Sequence, residues 1–515
     1  MLELEKYQLK IGVILSYLSI GIGFSIYFFL TPFILSKVGK IEYGLYSLVL
    51  SIVNYLNLLE FGLNSAYIRY YLKFKTEGNK YKVKQLNGTF LFIFFTIGII
   101  ASLFCLLMSR KIHLIVKEDL SAEYIFKMKE MLYIISIMIL FSFINIIFNC
   151  YLVANEKFIF QKGIQLLKII LDAIIIILFL IVGYGILGII YTKTFLVILV
   201  FIINVIYSIK KIKMKFTFKF LELFYIKEMF SFSSLIFLQM LISEVLWNID
   251  KVVLSKISGI EEVAVYSLAA QINTYYVIIG STISNVFIPK VNKLIFSSSK
   301  TEAEKNKLLI TLMGKIGRIQ LLILSPILLT FILFGKKFII LWVGKNYIGT
   351  YYIATILIIV TSFLVLQSIG VEIERARNMQ KFMCLIGILL AILNLIISIP
   401  MAKLYGGIGS AIGTVISVII GHIFIRNWYY NKKMDLNIKV FFKEIFKLFP
   451  ALFLTLIFGL LLLKVFLINT FFDLFFLMFV FNIIYIIIIW LIGMNRSEKE
   501  LVLKPINNIL CYFKI

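Results

Sequence analysis

Fourteen long apolar runs divide this chain, each closed by a short polar segment. They cover residues 11–35, 43–67, 88–108, 131–152, 164–182, 187–209, 230–249, 263–288, 308–334, 351–369, 382–400, 408–428, 448–466 and 474–492. A helix crossing a bilayer needs ~20 mostly apolar residues, so each run predicts one transmembrane helix. The polar segments between them are too short for a folded domain. The longest segment on the predicted outer side, 109–130, carries Glu118, Asp119 and Glu123. The first run follows a polar start of mixed charge. It is too long for a signal-peptide core and lacks a small-residue cleavage site, so it is read as the first span.

The pattern repeats. Leu35-Ser36-Lys37 through Tyr46-Ser47 returns as Leu254-Ser255-Lys256 through Tyr266-Ser267 with one residue inserted. Gln161-Lys162 returns as Gln380-Lys381, and Tyr184-Gly185-Ile186-Leu187-Gly188 as Tyr405-Gly406-Gly407-Ile408-Gly409. Three matches in one order predict a duplicated unit of about 220 residues, a feature of transporter folds. The expected organisation is a six-helix lobe over 1–220, a second over 221–435, and an additional helix pair with a tail over 436–515. An even number of spans per repeat gives both halves one orientation, as parallel repeats about an axis along the membrane normal.

Composition narrows the class. The chain is 61% hydrophobic, with a mean hydropathy of +1.01, against ~45–50% apolar residues in a soluble protein. The expected fold is an all-α polytopic membrane protein. Its net charge of +26 comes from 52 Lys+Arg against 26 Asp+Glu. These bases sit between apolar runs, where they act as topology signals and contacts for anionic membrane lipid rather than for nucleic acid. With the N-terminus inside, the inner segments hold about two and a half times the Lys and Arg of the outer ones, which predicts both termini on the cytoplasmic side. The densest cluster is Lys210, Lys211, Lys213, Lys215 and Lys219. Four scattered cysteines and two distant histidines offer neither a disulfide framework nor a metal site.

Ionisable groups inside a span are costly and are functional candidates by default. Asn54, Asn57, Glu60 and Asn64 form one stripe at helical spacing, and Gln161, Gln165, Lys168 and Asp172 another. In the seventh run Gln239, Ser243 and Asp250 share one face, and Glu244, Asn248 and Lys251 a second. Gln271, Thr274, Ser281 and Asn285 align in the eighth, and Thr311, Lys315, Arg318 and Ser325 in the ninth. Each stripe also has a plainer reading. Uncharged stripes hold helices together at ~0.6 kcal/mol per contact; Lys168 and Asp172 fit an i,i+4 ion pair; Asp250 fits a span end facing water; Lys315 and Arg318 fit snorkelling to the surface. Together the stripes suggest a hydrophilic cavity for a large, hydroxyl-rich, partly anionic cargo. Lys315 and Arg318 are the candidates for its anionic head. Asn54, Asn57 and Asn64 are the candidates for its sugars, Gln271 and Asn285 are further cavity candidates, and Glu60, Lys168, Asp172, Glu244 and Asp250 are those for coupling or gating.

Several segments carry a resemblance: Pro32-Phe33-Ile34-Leu35, Gly39, Glu42 through Ser47, Leu59-Glu60-Phe61-Gly62-Leu63 and Arg69-Tyr70; then Asn248-Ile249-Asp250-Lys251 with Ala264 through Ala269; then Asn394 and Tyr405 through Gly409. In this order the chain from about residue 10 to 430 resembles the polysaccharide repeat-unit (Wzx-type, O-antigen or capsule) flippases of the multidrug/oligosaccharidyl-lipid/polysaccharide exporter superfamily. The resemblance implies a two-lobed fold like that of the multidrug exporters and lipid flippases. It implies alternating access and movement of an undecaprenyl-pyrophosphate-linked oligosaccharide to the outer leaflet of the bacterial cytoplasmic membrane. It also implies Arg69 as a cavity residue, coupling to Na+ or H+ or to membrane potential, no resident cofactor, and other polysaccharide-assembly proteins as partners. Lipid II flippases of the superfamily carry arginines in their first spans. Here no charge lies between Ile11 and Leu35, which favours a capsule, O-antigen or teichoic-type cargo.

Two other readings remain open at this level. A multidrug or cation antiporter of the same superfamily would have twelve spans, so the runs 448–466 and 474–492 lean against it. A membrane glycosyltransferase or polymerase would need a large outer loop for its catalytic groups. The chain also lacks a phosphate-binding loop: Gly314-Lys315 has neither the upstream glycine nor the following Ser or Thr, so direct nucleotide hydrolysis is not expected.

Overall fold

In hydrocarbon each backbone N–H and C=O must be paired within the chain, which leaves the helix as the means of crossing for apolar runs of this kind. The computed structural model describes residues 2–117, 120–298 and 300–512, and all regular structure among them is helical. Glu118 and Asp119, noted above in the longest outer segment, lie outside the described residues. The chain divides into two compact units, 1–264 and 265–515. The first contains α1 (Leu2–Asn57), α2 (Leu63–Thr76), α3 (Lys80–Arg110), α4 (Ala122–Ala154), α5 (Phe158–Val182), α6 (Gly185–Ile206) and α7 (Leu223–Ile257). The boundary falls inside α8 (Ile260–Asn285). The second unit continues with α9 (Ile288–Ile295), α10 (Glu302–Trp342), α11 (Gly349–Leu366), α12 (Ser368–Ala376), α13 (Gln380–Val418) and α14 (Arg426–Lys433). It ends with α15 (Ile438–Phe446), α16 (Phe449–Val465), α17 (Phe471–Ile488) and α18 (Arg496–Tyr512). Packing therefore groups α7 with the first six runs, and groups the last helix pair with α10.

Twelve helical segments among the described residues are long and apolar enough to cross a membrane. Two of these twelve segments each hold two apolar runs, whose helices meet at a break in helical geometry. Lys10–Thr76 holds the first two runs and Gln380–Lys433 holds 382–400 and 408–428. Each is bent where the turn was expected. Gly39 has φ 76 and ψ 179, and Tyr405-Gly406 leaves helical geometry with Gly406 at φ 56. At Gly39 a side chain would face the steric penalty of left-handed φ, which glycine escapes.

Helix starts are marked by capping. Thr301 Oγ1 accepts from Glu304 N, while the Glu304 carboxylate accepts from Thr301 N at 2.9 Å, and Thr470 with Asp473 repeats the arrangement at α17. In the first unit α4 packs against α3 and α6, and α5 against α1 and α6. Gly98 and the fully buried Ala101 let α3 approach Leu140 and Phe143 of α4, a close approach that small residues permit between membrane helices. In the second unit α10 is central. Leu309, Met313 and Ile316 pack with Ile369, Ile373 and Phe441 at one end, and Leu333 and Phe334 pack with Leu477 and Phe481 at the other.

The duplicated motif has a structural counterpart in the first unit. Glu42 pairs with Lys127 of α4 at 2.7 Å, and Lys127 also reaches Glu123 at 2.8 Å. Lys40 pairs with Glu261, from the second copy of the motif, at 3.0 Å. Gly44 lies so close to the Ile260 carbonyl that a Cβ there would collide with it.

Candidate functional site

Among the described residues, the buried ionisable clusters of the first unit are built on a few polar positions in otherwise apolar helices. Asp172, in the middle of α5, is 4% exposed. Its Oδ2 accepts from the Tyr27 hydroxyl of α1 at 2.8 Å and from Lys193 Nζ of α6 at 3.4 Å. Tyr46, past the Gly39 bend on the same α1, lies against Lys193. The cluster thus holds both arms of the bent helix. Lys168 lies close enough to feel the charges of Lys193 and Asp172, yet the ion-pair partner of Asp172 is Lys193, not the i,i+4 Lys168. Two ammonium groups facing one carboxylate leave one excess positive charge, which favours an anion nearby.

A second cluster lies on α7. Lys251 Nζ donates to Asn248 Oδ1 at 3.1 Å, and Glu244 and Asp250 both act electrostatically on Lys251. The Tyr55 hydroxyl of α1 feels both carboxylates. Asp250 is fully buried rather than facing water at a span end. Its two acids and one base leave excess negative charge, the opposite preference from the Asp172 cluster. The Tyr55 hydroxyl and Glu244 Oε1 are both buried without a hydrogen-bond partner. Such unpaired buried groups are uncommon.

Glu60 occupies a break in the helix. The chain passes through a short 3-10 turn at Leu58–Glu60, then through left-handed Phe61 (φ 51) and Gly62 (φ 67), before α2 begins. The Glu60 carboxylate accepts from Asn64 Nδ2 at 3.3 Å, beside the positive end of α2. Ser233 of α7 donates to the Gly62 carbonyl at 3.3 Å, and the Phe61 ring packs on Phe237 at 4.8 Å. Irregular backbone at such depth is tolerated where it is buried in protein or lines a cavity. Asn54 and Asn57 are exposed on the preceding turns, and exposed Arg69 lies over the Phe232 ring at 4.6 Å.

The second unit treats its polar residues differently. Gln271 donates to the Tyr275 hydroxyl at 2.8 Å, and Asn285 is exposed. Lys315 is exposed, whereas Arg318 is 3% exposed and fully engaged. Arg318 Nε donates to Glu498 Oε1 at 2.6 Å and Nη2 to Glu498 Oε2 at 2.9 Å, with further bonds to the carbonyls of Glu444 and Gly493. The two charges expected to meet in one place are therefore separated, because Glu498 of α18 claims the guanidinium. Elsewhere in this unit Gln320 bonds Ser284 at 2.6 Å, Asn273 accepts from Thr361 at 2.8 Å, and Tyr485 pairs with Ser325 at 2.7 Å. Glu374, outside the spans, is held above the usual carboxylate range by burial, an effect that Arg426 at 3.2 Å opposes. An apolar cavity of about 300 Å³ lies between α10, α11, α15 and α16, lined by rings including Phe363, Phe442, Phe446 and Phe453.

Sequence reasoning missed Lys193, Tyr27, Tyr46, Tyr55 and Glu498. Lys193 stands inside the run 187–209, so the rule that singled out Lys168 applies to it equally. The tyrosines carry no such signal among 28 of their kind.

Long apolar helices, helix breaks at polar residues and buried ionisable clusters define a multi-pass helical membrane protein. The family model described as "Polysaccharide biosynthesis protein" matches residues 38–352, and the chain belongs to that family. A Shigella flexneri protein provisionally named an O-antigen transporter is 24% identical over 397 residues, covering 74% of this chain and 87% of its own. The lipid II flippase MurJ, in an inward closed conformation, superposes with a TM-score of 0.71 at 20% identity, over 93% of this chain and 97% of its own. The MATE multidrug transporter DinF-BH gives a TM-score of 0.59 at 16% identity over 84% and 96%. These two likenesses concern the fold.

Proposed function

We propose that the protein is a flippase carrying lipid-linked oligosaccharide repeat units from the inner to the outer leaflet of the bacterial cytoplasmic membrane by alternating access, with no chemical conversion of its cargo. The observation that carries this reading is the Lys168–Asp172–Lys193 cluster, whose excess positive charge in an apolar setting suits a pyrophosphate-bearing head. Family membership and the name of the Shigella flexneri relative support the glycan class. The apolar cavity beside the C-terminal helices suits an isoprenoid tail better than a small drug cation. The opposite charge balance of Glu244, Asp250 and Lys251 supports coupling to Na+ or H+ there. Asn54, Asn57 and Asn64 are the residues proposed to meet sugar in the first unit, with Arg69, Gln271 and Asn285 as further cavity residues, Lys315 as a contact for the anionic head and Glu60 as a gating residue.

Proteoliposomes containing the purified protein test this directly. A fluorescent undecaprenyl-pyrophosphate oligosaccharide should become accessible to an outside glycosidase in the presence of protein and an ion gradient. Cation-drug efflux without glycan movement would establish the antiporter reading instead.

Orientation is a separate prediction, based on the Lys/Arg distribution. A single cysteine at Lys210, on a background free of native cysteines, should resist an impermeant maleimide in intact cells and react in lysed ones. Labelling in intact cells would reverse the topology.

A further inference from the structure

The linker 212–222 does not run free between α6 and α7. It lies along the start of α3, held by Thr217 N to Lys84 O at 3.2 Å, Asn87 Nδ2 to Lys215 O at 2.9 Å and Leu221 N to Thr89 Oγ1 at 3.0 Å. Asn87 is itself fixed, accepting from the Tyr67 hydroxyl at 2.7 Å. Gly88 makes this approach possible, since a Cβ there would collide with the Thr217 carbonyl. Between the linker, α2, α3 and α4 a cavity of about 520 Å³ remains. Five lysines line it: Lys75, Lys80, Lys84, Lys213 and Lys215. No Asp or Glu lines it, and among the described residues none of the five has a carboxylate within ion-pair distance. Lys75 meets Asn155 Oδ1 at 3.1 Å and the Tyr71 ring. Lys213 holds a left-handed backbone with φ 58, a conformation that costs energy in a residue other than glycine. Tyr71, Asn87 and Tyr151 add polar atoms to the wall.

Five like charges around one cavity with no carboxylate in its wall favour an anion there, and the hydrogen-bonded linker carries two of them, Lys213 and Lys215. We propose that this cavity binds a phosphate-bearing anion, with the lysines as point-charge contacts. The site is separate from the Asp172 cluster and does not depend on what cargo the protein moves. A phospholipid headgroup and a soluble phosphate compound share this chemistry. The cavity shares the lysine-dense end of the first unit with Lys210 and Lys211, where anionic headgroups gather on a basic surface.

The test uses the full-length protein in detergent. Lysine acetylation is followed by mass spectrometry without ligand, with phosphatidylglycerol, with phosphatidylcholine, and with inorganic pyrophosphate. Protection of Lys84, Lys213 and Lys215 by phosphatidylglycerol but not by pyrophosphate assigns the site to an anionic lipid headgroup. Protection by pyrophosphate assigns it to a soluble phosphate compound. Protection by neither anion, or equally by phosphatidylcholine, overturns the proposal. In binding titrations, Lys84→Gln/Lys213→Gln/Lys215→Gln should weaken affinity for the protecting anion roughly tenfold or more. Lys210→Gln/Lys211→Gln/Lys219→Gln removes the same charge from nearby residues without touching the cavity wall, and should leave affinity unchanged. Equal losses in both triple variants would show non-specific attraction and overturn the site. The acetylation pattern needs no variant, so the outcome stands even where a triple variant fails to fold.

Discussion

Glu498→Gln is expected to deplete the protein from the membrane and to lower its melting temperature sharply in detergent. The carboxylate is 2% exposed and takes two hydrogen bonds from an Arg318 guanidinium that is itself 3% exposed. Removing one partner of a buried pair leaves an uncompensated charge, at a cost of about 3–5 kcal/mol. Replacing both with apolar residues of similar size, Arg318→Met with Glu498→Leu, removes the charge altogether and should recover most of the loss. The two carbonyls that Arg318 also serves, Glu444 and Gly493, make full recovery unexpected. Glycan export per folded molecule should be normal in the double variant, because these groups clasp α18 to α10 and their polar atoms bond within the protein. A wild-type melting curve for Glu498→Gln would contradict the clasp. Export lost in a stable double variant would return Arg318 to the cargo site.

Asp172→Asn should have the larger effect on transport. The substitution keeps shape and hydrogen bonding to Tyr27, but leaves Lys193 without its carboxylate and beside Lys168. Lys193 is partly exposed, so its loss of a partner costs less than a fully buried break would. The variant should insert and remain folded. Export is expected to fall roughly tenfold or more, the change that 1.4 kcal/mol makes in an equilibrium, because two ammonium groups without their carboxylate would hold an anionic head more tightly and slow its release. Dependence of the residual rate on ion gradient separates this role from simple destabilisation. A stable Asp172→Asn variant with normal rate and normal ion dependence would remove the residue from the mechanism, while partial rescue by Asp172→Glu would support it.

The apolar runs were legible because their length is dictated by the bilayer, and the turn at Gly39 was legible as the polar gap between two runs. The backbone leaves helical geometry at Gly39, and again at Tyr405-Gly406, where the gaps between runs fall. Asp172 stood out as an acid inside an apolar run. Its partner did not, because helical spacing reveals neighbours on one helix and Lys193 lies on the next. The same limit explains Arg318: spacing placed it on the face of Lys315, but Glu498 is 180 residues away and no local pattern connects them. The packing boundary at residue 264 likewise differs from the repeat boundary, since duplication is written in the sequence and packing is not.

The pairs at Glu42 and Glu261 show what duplication has since become. By the repeat these two acids occupy the same ancestral position. Glu42 now answers to Lys127, within its own copy, while Glu261 answers to Lys40, from the other. One inherited carboxylate has thus acquired two allegiances. The copies are no longer interchangeable. In a chain assembled from two first halves, the second acid would have a Lys127 of its own competing with Lys40 for it. A chain assembled from two second halves would lack the cross-copy lysine altogether, because Gly259 stands where Lys40 does.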